Sequence, residues 1–358
     1  MSDFTYETNT TVEAIADRLR SARSVLITSH EKPDGDAIGS CAALARALRA
    51  LGVEVEVWLL GAVTPNLAAL AEDLAPRHAP PDQPGGDHDL CVVVDTGAWS
   101  QLGPLREYLA TRRDSVIGID HHRRGDDIAA MRFVDPTAAS CTQVLVPLID
   151  ALGVPLTAGG NEAGWFTIAE AILLGLATDT GWFRFESFDA PGFTLGARLM
   201  EAGADKNRLI RQVEECDRPQ RIHMAGRALS AARFFHQDQA VVMTLSLEDF
   251  AAVGARPEEL SGIVNQPMSV GGVEVSVLLT QSEPGRVKGS FRSKPPLVPG
   301  SSRFVDVNQV AARFGGGGHV HAAGARFEGT LDEVVEAVRA ALEAALQDAG
   351  FTGASAGT

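Results

Sequence analysis

Four segments of this sequence each place Asp or His at the end of a short apolar run: 29–36 (SHEKPDGD), 92–96 (VVVDT), 118–122 (GIDHH) and 174–181 (LGLATDTG). If the runs lie in one parallel sheet, the polar ends meet at its carboxyl edge, where open α/β sheets bind ligands. His30, Asp34, Asp36, Asp95, Asp120, His121, His122 and Asp179 then converge. So many carboxylates cannot stay ionised side by side without cations. Mixed carboxylate and imidazole donors suit manganese, iron, cobalt or zinc better than calcium. Two ions about 3.5–4 Å apart are the usual device for phosphoester hydrolysis: a water is activated as hydroxide, and the phosphorus centre and leaving oxygen are stabilised. Taken singly, each acid has a plainer role. Asp36 could merely cap the helix that follows, and Asp135 before Pro136 reads as a turn residue. The four segments taken jointly argue for a site.

The elements that must position these residues follow from periodicity. Residues 12–22 and 37–51 read as helices, the second closed by Gly52. Residues 25–28, 53–60, 90–94 and 115–119 read as buried strands, with helices at 139–151, 162–177 and 190–202. Strand–helix alternation predicts an α/β parallel sheet with helices on both faces. Residues 78–89 are a Pro- and Gly-rich loop. After residue 204 the character changes. An arginine-rich helical connector over 205–230 leads to strands at 240–246, 273–280 and 286–292 and a helix at 331–347, a smaller α+β domain. The division is therefore 1–204, 205–230, 231–347 and a frayed tail at 348–358, with a hinge near 205–220 and the active site expected in the cleft between the two domains.

The 358 residues allow two domains with real cores. A net charge of −15 disfavours a coat for long DNA, and no long-duplex binding is expected. Cys41, Cys91, Cys141 and Cys216 are widely spaced, which points to buried thiols rather than structural zinc or disulfides. The polar first residues and the lack of any apolar run of about 18 residues predict a cytoplasmic protein with no membrane contact.

At Asp120-His121-His122 and at residues 30–40 (HEKPDGDAIGS), the chain resembles the DHH-family phosphoesterases. The likeness extends to Gly289–Lys294 (GSFRSK) and Gly315–Gly324 (GGGGHVHAAG), which resemble the DHH-associated domain, and it covers residues 12 to 345. Within the family the arrangement is most similar to the bacterial nanoRNase / pAp phosphatase group. The resemblance implies two manganese ions, with magnesium or cobalt able to take their places. His30, Asp34 and Asp95 would hold one ion; Asp36, Asp95, His121 and Asp179 would hold the other. His122 would contact the scissile phosphate, with Asp120 supporting the imidazoles. Arg292, Lys294, Gly316, Gly317, Gly318 and His319 would bind the far end of the substrate. His321 has no clear part.

The residues of that last patch support such a role independently. Between 285 and 303 stand Arg286, Lys288, Arg292, Lys294 and Arg303, with no acid. Arginine forks suit phosphate, and glycine lets backbone amides approach an anion. Aromatics are 6% and no basic track is evident, so oligonucleotides of about two to five residues, dinucleotides or 3′,5′-bisphosphates fit better than a long strand. The expected partners are short RNA or DNA and small nucleotides, and a homodimer is left open. The expected reaction is hydrolysis of such oligonucleotides to mononucleotides, and of pAp to AMP. The competing readings are a linear or cyclic dinucleotide phosphodiesterase, a manganese pyrophosphatase, a processive single-strand exonuclease and a non-catalytic nucleotide sensor.

Overall fold

The computed structural model describes residues 4–80, 82, 84–160, 166–185, 187–298 and 300–351. Part of the helix expected at 162–177 and most of the tail therefore lie outside the described residues. The chain forms two units, Met1–Cys216 and Asp217–Thr358. The boundary falls inside the stretch read as connector: helix Lys206–Val213 belongs to the first unit and helix Pro219–Ser230 to the second.

In the first unit six strands pair in parallel: β1 (Ser24–Glu31), β2 (Glu54–Leu60), β3 (Arg77–Ala79), β4 (Leu90–Val94), β5 (Val116–Asp120) and β6 (Met131–Val134). Their spatial order is β3-β2-β1-β4-β5-β6, so the direction of winding reverses between β1 and β4. The apolar runs are continuous because both faces are covered. Val25, Ile27, Val92, Ile117 and Ile119 pack into one core with helices Val12–Ser21, Gly35–Ala50, Cys141–Leu152 and Ile168–Asp179. Leu26, Cys91, Val93 and Val116 point the other way, against Leu102, Leu105, Leu109 and Ile128. Beneath the site two helices cross closely. A Cβ on Gly39 would meet the Ala171 carbonyl, and one on Gly35 would meet Thr178.

The second unit is a mixed sheet: β7 (Arg233–Phe235), β8 (Ala240–Leu245), β9 (Val275–Glu283), β10 (Arg286–Ser293), β11 (Gly317–His319) and β12 (Ala322–Glu328). The order is β11-β12-β10-β9-β8-β7, with only the β8–β9 pair parallel. Helices Val307–Ala312 and Leu331–Asp348 cover one face.

Three expectations need correction. Asp34, not Asp36, caps the helix expected at 37–51, which begins at Gly35; its carboxylate accepts from the Asp36 and Ala37 amides. The described start of the tail is not frayed. Phe351 is buried in the core, and its carbonyl takes a hydrogen bond from His236. Cys216 is exposed, whereas Cys41, Cys91 and Cys141 are buried. No helix among the described residues is long and apolar enough to cross a membrane.

Candidate metal centre

The site lies where strand order reverses, at the carboxyl ends of β1, β4 and β5. His30 is near the end of β1, and Asp34 and Asp36 follow it around a turn into the first turn of helix Gly35–Ala50. Asp95 comes one residue after β4, with its backbone at φ 60°. This left-handed conformation is uncommon outside glycine but tolerated by Asp, and strain of this kind concentrates at functional sites. The Asp95 amide is held by the Ile119 carbonyl at 3.0 Å, so the side chain is fixed between β1 and β5. Asp120 ends β5, His121 and His122 follow, and Asp179 is the last residue of helix Ile168–Asp179.

Three sets of donors result. His30, Asp34 and Asp95 each offer an atom within 4.8 Å of the others, as do Asp36, His121 and Asp179, and a third set of Asp95, His121 and His122 overlaps these first two. Asp95 lies against both: Oδ2 is 3.3 Å from His30 Nε2 and Oδ1 is 3.5 Å from His121 Nε2. His121 Nε2 is also 3.9 Å from Asp36 and 3.6 Å from Asp179. The ring orientations suit ligation. His30 turns Nδ1 to the Glu31 carbonyl at 2.9 Å and His121 turns Nδ1 to that of Ala138 at 3.3 Å, so both present Nε2 to the carboxylates. Asp36 is buried, and its oxygens accept from the Cys141 and Thr142 amides at 2.6 and 3.0 Å. Those amides open helix Cys141–Leu152, whose positive end favours an anion.

His122 differs from these two histidines. Its Nδ1 is 2.7 Å from Asp120 Oδ1, and the same oxygen accepts from the His121 and His122 amides. Half of its side chain is exposed, against 14% for His121, so its other nitrogen is free to meet a substrate. Tyr6 completes the arrangement. Its hydroxyl donates to Asp120 Oδ2 at 2.7 Å, and its ring fills a slot where a Cβ on Gly97 or Gly125 would overlap it. Around it, residues Thr8 and Asn9 bind the backbone of β6: Thr8 bonds both the amide and carbonyl of Val134, and Asn9 those of Arg132. Sequence reading missed Tyr6, because a polar amino-terminal segment carries no periodic signal. Tyr6→Phe keeps the ring in its slot and deletes one bond to a buried carboxylate. It should lower kcat about 10- to 100-fold, as losing a supporting partner does, with little change in melting temperature. In a His122→Ala background it should cost almost nothing more; an equal further loss there would refute the coupling.

The electrostatics fit a cation site. Burial opposes charge on the His30 imidazole, but Asp34 and Asp95 outweigh it and push its pKa up to about 11. Burial also opposes charge on His121, and Asp95, Asp36 and Asp179 lift it to about 10. Burial, with Asp95 close by, raises the Asp179 carboxyl to about 6. Asp36 is raised by burial and by Asp95 and Asp179. Without an ion, protons on these imidazoles neutralise the carboxylates; a divalent cation would take their place. Metal affinity should therefore rise with pH until about 10, by up to about tenfold per unit for each proton displaced. The same imidazoles stabilise the metal-free fold below about pH 6.5, and that contribution disappears as pH rises through 10 to 11. Calorimetry with manganese at pH 7.5, in buffers of different ionisation enthalpy, should show about two protons released per protein. Release of none would contradict the assignment.

In the second unit Arg292 on β10 and His319 on β11 both pair with Ala322 of β12. Directly paired residues share a sheet face, so the guanidinium and imidazole flank a methyl group across three strands. Arg292 is half-buried, and its Nη1 donates to the Phe291 carbonyl. His319 is exposed. Lys294 is less free than its sequence suggests, because its ammonium donates to the Val270 and Gly271 carbonyls. Gly316, Gly317 and Gly318 are not an open loop. Gly317–His319 is a strand, the Gly315 and Gly316 amides bond within the preceding turn, and that of Gly318 donates to Asn308. The run is glycine for another reason: a Cβ on Gly316 or Gly318 would strike β12. His321 bonds Ser293 and packs on Phe304.

Residues 24–176 match the DHH family, N-terminal domain, and residues 238–348 match the DHHA1 domain. The chain is 32% identical over 335 residues, 91% of each chain, to a Thermus thermophilus protein named bifunctional oligoribonuclease and PAP phosphatase NrnA. It is 24% identical to the Bacillus subtilis protein of the same name, over 84% of this chain and 88% of that one. A solved structure of an exopolyphosphatase-related protein from Bacteroides fragilis shares the fold, with a TM-score of 0.82 at 24% identity over 95% of this chain and 97% of that one.

Proposed function

Because this chain belongs to the DHH family, with a DHHA1 domain following the DHH domain, we propose that it uses two divalent cations, manganese foremost, to hydrolyse short oligonucleotides to mononucleotides and pAp to AMP in the cytoplasm. It is a hydrolase of phosphoester bonds. The observation that carries the fuller reading is the pair of donor sets meeting at Asp95, with an exposed His122 beside them. The donor chemistry fits the ions: carboxylate oxygens and imidazole nitrogens, with Asp95 and Asp36 buried and no lysine or arginine paired to them among the described residues. Bound ions would lower the pKa of a water nucleophile and offset charge at the phosphate.

The chain's own groups do the rest. The hydrogen bond to Asp120 raises the His122 imidazole above its usual pKa and so favours its charged form, and from the exposed side that ring can donate to a non-bridging phosphate oxygen as charge builds there. Tyr6 and two backbone amides hold Asp120 in place. On the second sheet, Arg292 and His319 present paired donors on one face, suited to a base edge at the far end of the substrate.

Incubation of the protein and manganese with labelled RNA of 2 to 24 residues, with pAp, with a cyclic dinucleotide and with pyrophosphate tests the reading. Cleavage should be fastest on the 2-mer to 5-mer and on pAp, and Arg292→Ala should raise KM about tenfold. Faster cleavage of the 24-mer, the cyclic dinucleotide or pyrophosphate would replace this reading with the corresponding alternative.

A further inference from the structure

The loop that follows His122 carries Arg123, Arg124 and Gly125, then Asp126 and Asp127. Both arginines are exposed, and among the described residues neither has a hydrogen bond, an ion pair or a ring contact. In a chain of net charge −15 this needs a reason. The acids nearest in sequence are all engaged elsewhere. Asp120 is taken by Tyr6, His122 and two amides. Asp126 accepts from the Trp99 amide at 2.8 Å. Asp127 accepts from Arg113 and Arg132.

The loop is nevertheless held at both ends. The His121 and His122 amides are fixed on Asp120, Gly125 is clamped against the Tyr6 ring, and the Asp126 amide donates to the Gly97 carbonyl at 2.7 Å. Two uncommitted guanidinium groups thus stand on a fixed backbone, about 3.8 Å per residue from His122. Guanidinium forks recognise phosphate oxygens in pairs.

We propose that Arg123 and Arg124 form a phosphate subsite beside His122, which takes a second phosphate of the substrate next to the one being cleaved. The assignment rests on the phosphoesterase reading above and names the substrates it favours. Nucleotides carrying a terminal phosphate in addition to the scissile one are selected over the same compounds ending in hydroxyl.

The test is steady-state kinetics on pApA and ApA with the full chain and the Arg123→Ala/Arg124→Ala variant. Unaltered protein should favour pApA through KM by about tenfold or more, and the double variant should bring the ratio close to one. Salt should raise KM for pApA less steeply in the double variant than in unaltered protein, because the screened charge contacts are gone. Equal losses on the two dinucleotides, or an unchanged preference, would overturn the subsite. A second arm measures equilibrium binding of pApA and ApA to His122→Ala protein with and without the two arginines. If unaltered protein cleaves neither dinucleotide, the functional reading fails, but the binding arm still decides: tighter binding of pApA that needs the arginines supports the subsite, and equal affinities refute it.

Discussion

Replacing Asp95 with Ala should lower kcat by about 10^3-fold or more at saturating manganese. The Asp95 carboxylate faces both donor sets: one oxygen lies 3.3 Å from His30 and the other 3.5 Å from His121. Its removal unlinks the sets and leaves two imidazoles with fewer acceptors. The backbone adds a complication, because φ 60° suits Asp or Asn and not Ala. Asp95→Asn separates the two effects. It keeps the conformational tolerance and the volume and deletes the charge, so its kcat should fall nearly as far while its melting temperature holds. If Asp95→Asn retained a tenth of the normal turnover, the carboxylate would not be the common ligand.

The second large effect concerns packing under the site. In a free helix position Gly→Ala stabilises, by about 1 kcal/mol. Gly196, in helix Ala190–Glu201, is such a position, with open space where a Cβ would go. Gly175 is the opposite case. There a Cβ would overlap Asp36 Oδ1 and both γ atoms of Thr142. Neither can retreat, since both are buried and joined by the Thr142 amide bond to Asp36. Gly175→Ala should therefore destabilise by about 2–3 kcal/mol, or about 4–12 °C in Tm, while Gly196→Ala should raise Tm. Calorimetric metal titration of Gly175→Ala should also show weaker binding, because the displaced carboxylate belongs to one of the donor sets. A Gly175→Ala protein as stable as Gly196→Ala would show that the helices are free to move apart.

How much of this was legible beforehand depends on the range of the interactions. Strands β1, β4 and β5 could be read because burial on both faces forces an unbroken apolar run, and the residues closing each run mark the edge of the sheet. Helix Ile168–Asp179 could be read as a helix at 162–177 from its long apolar run, and with it the place of Asp179 near a helix end. Strand β12, Ala-Ala-Gly-Ala-Arg-Phe-Glu, has no β-branched residue and pairs by backbone alone, so nothing local announced it. The glycine run before it invited a reading as an anion cradle, yet it is short of side chains because β12 lies against it. The amides that hold Asp36 come from residues more than a hundred positions away. No local pattern encodes such a partner, and the same is true of Tyr6 and Asp120.

The dressing of β6 by Thr8 and Asn9 has a consequence beyond catalysis. β6 is the last strand of its sheet, and a bare terminal strand invites pairing with a neighbouring molecule. Proteolytic trimming of the first ten residues would strip the cover from that strand and remove Tyr6 in the same cut. A nicked molecule would then be both slower and adhesive, so turnover and freedom from aggregation should decline together during storage.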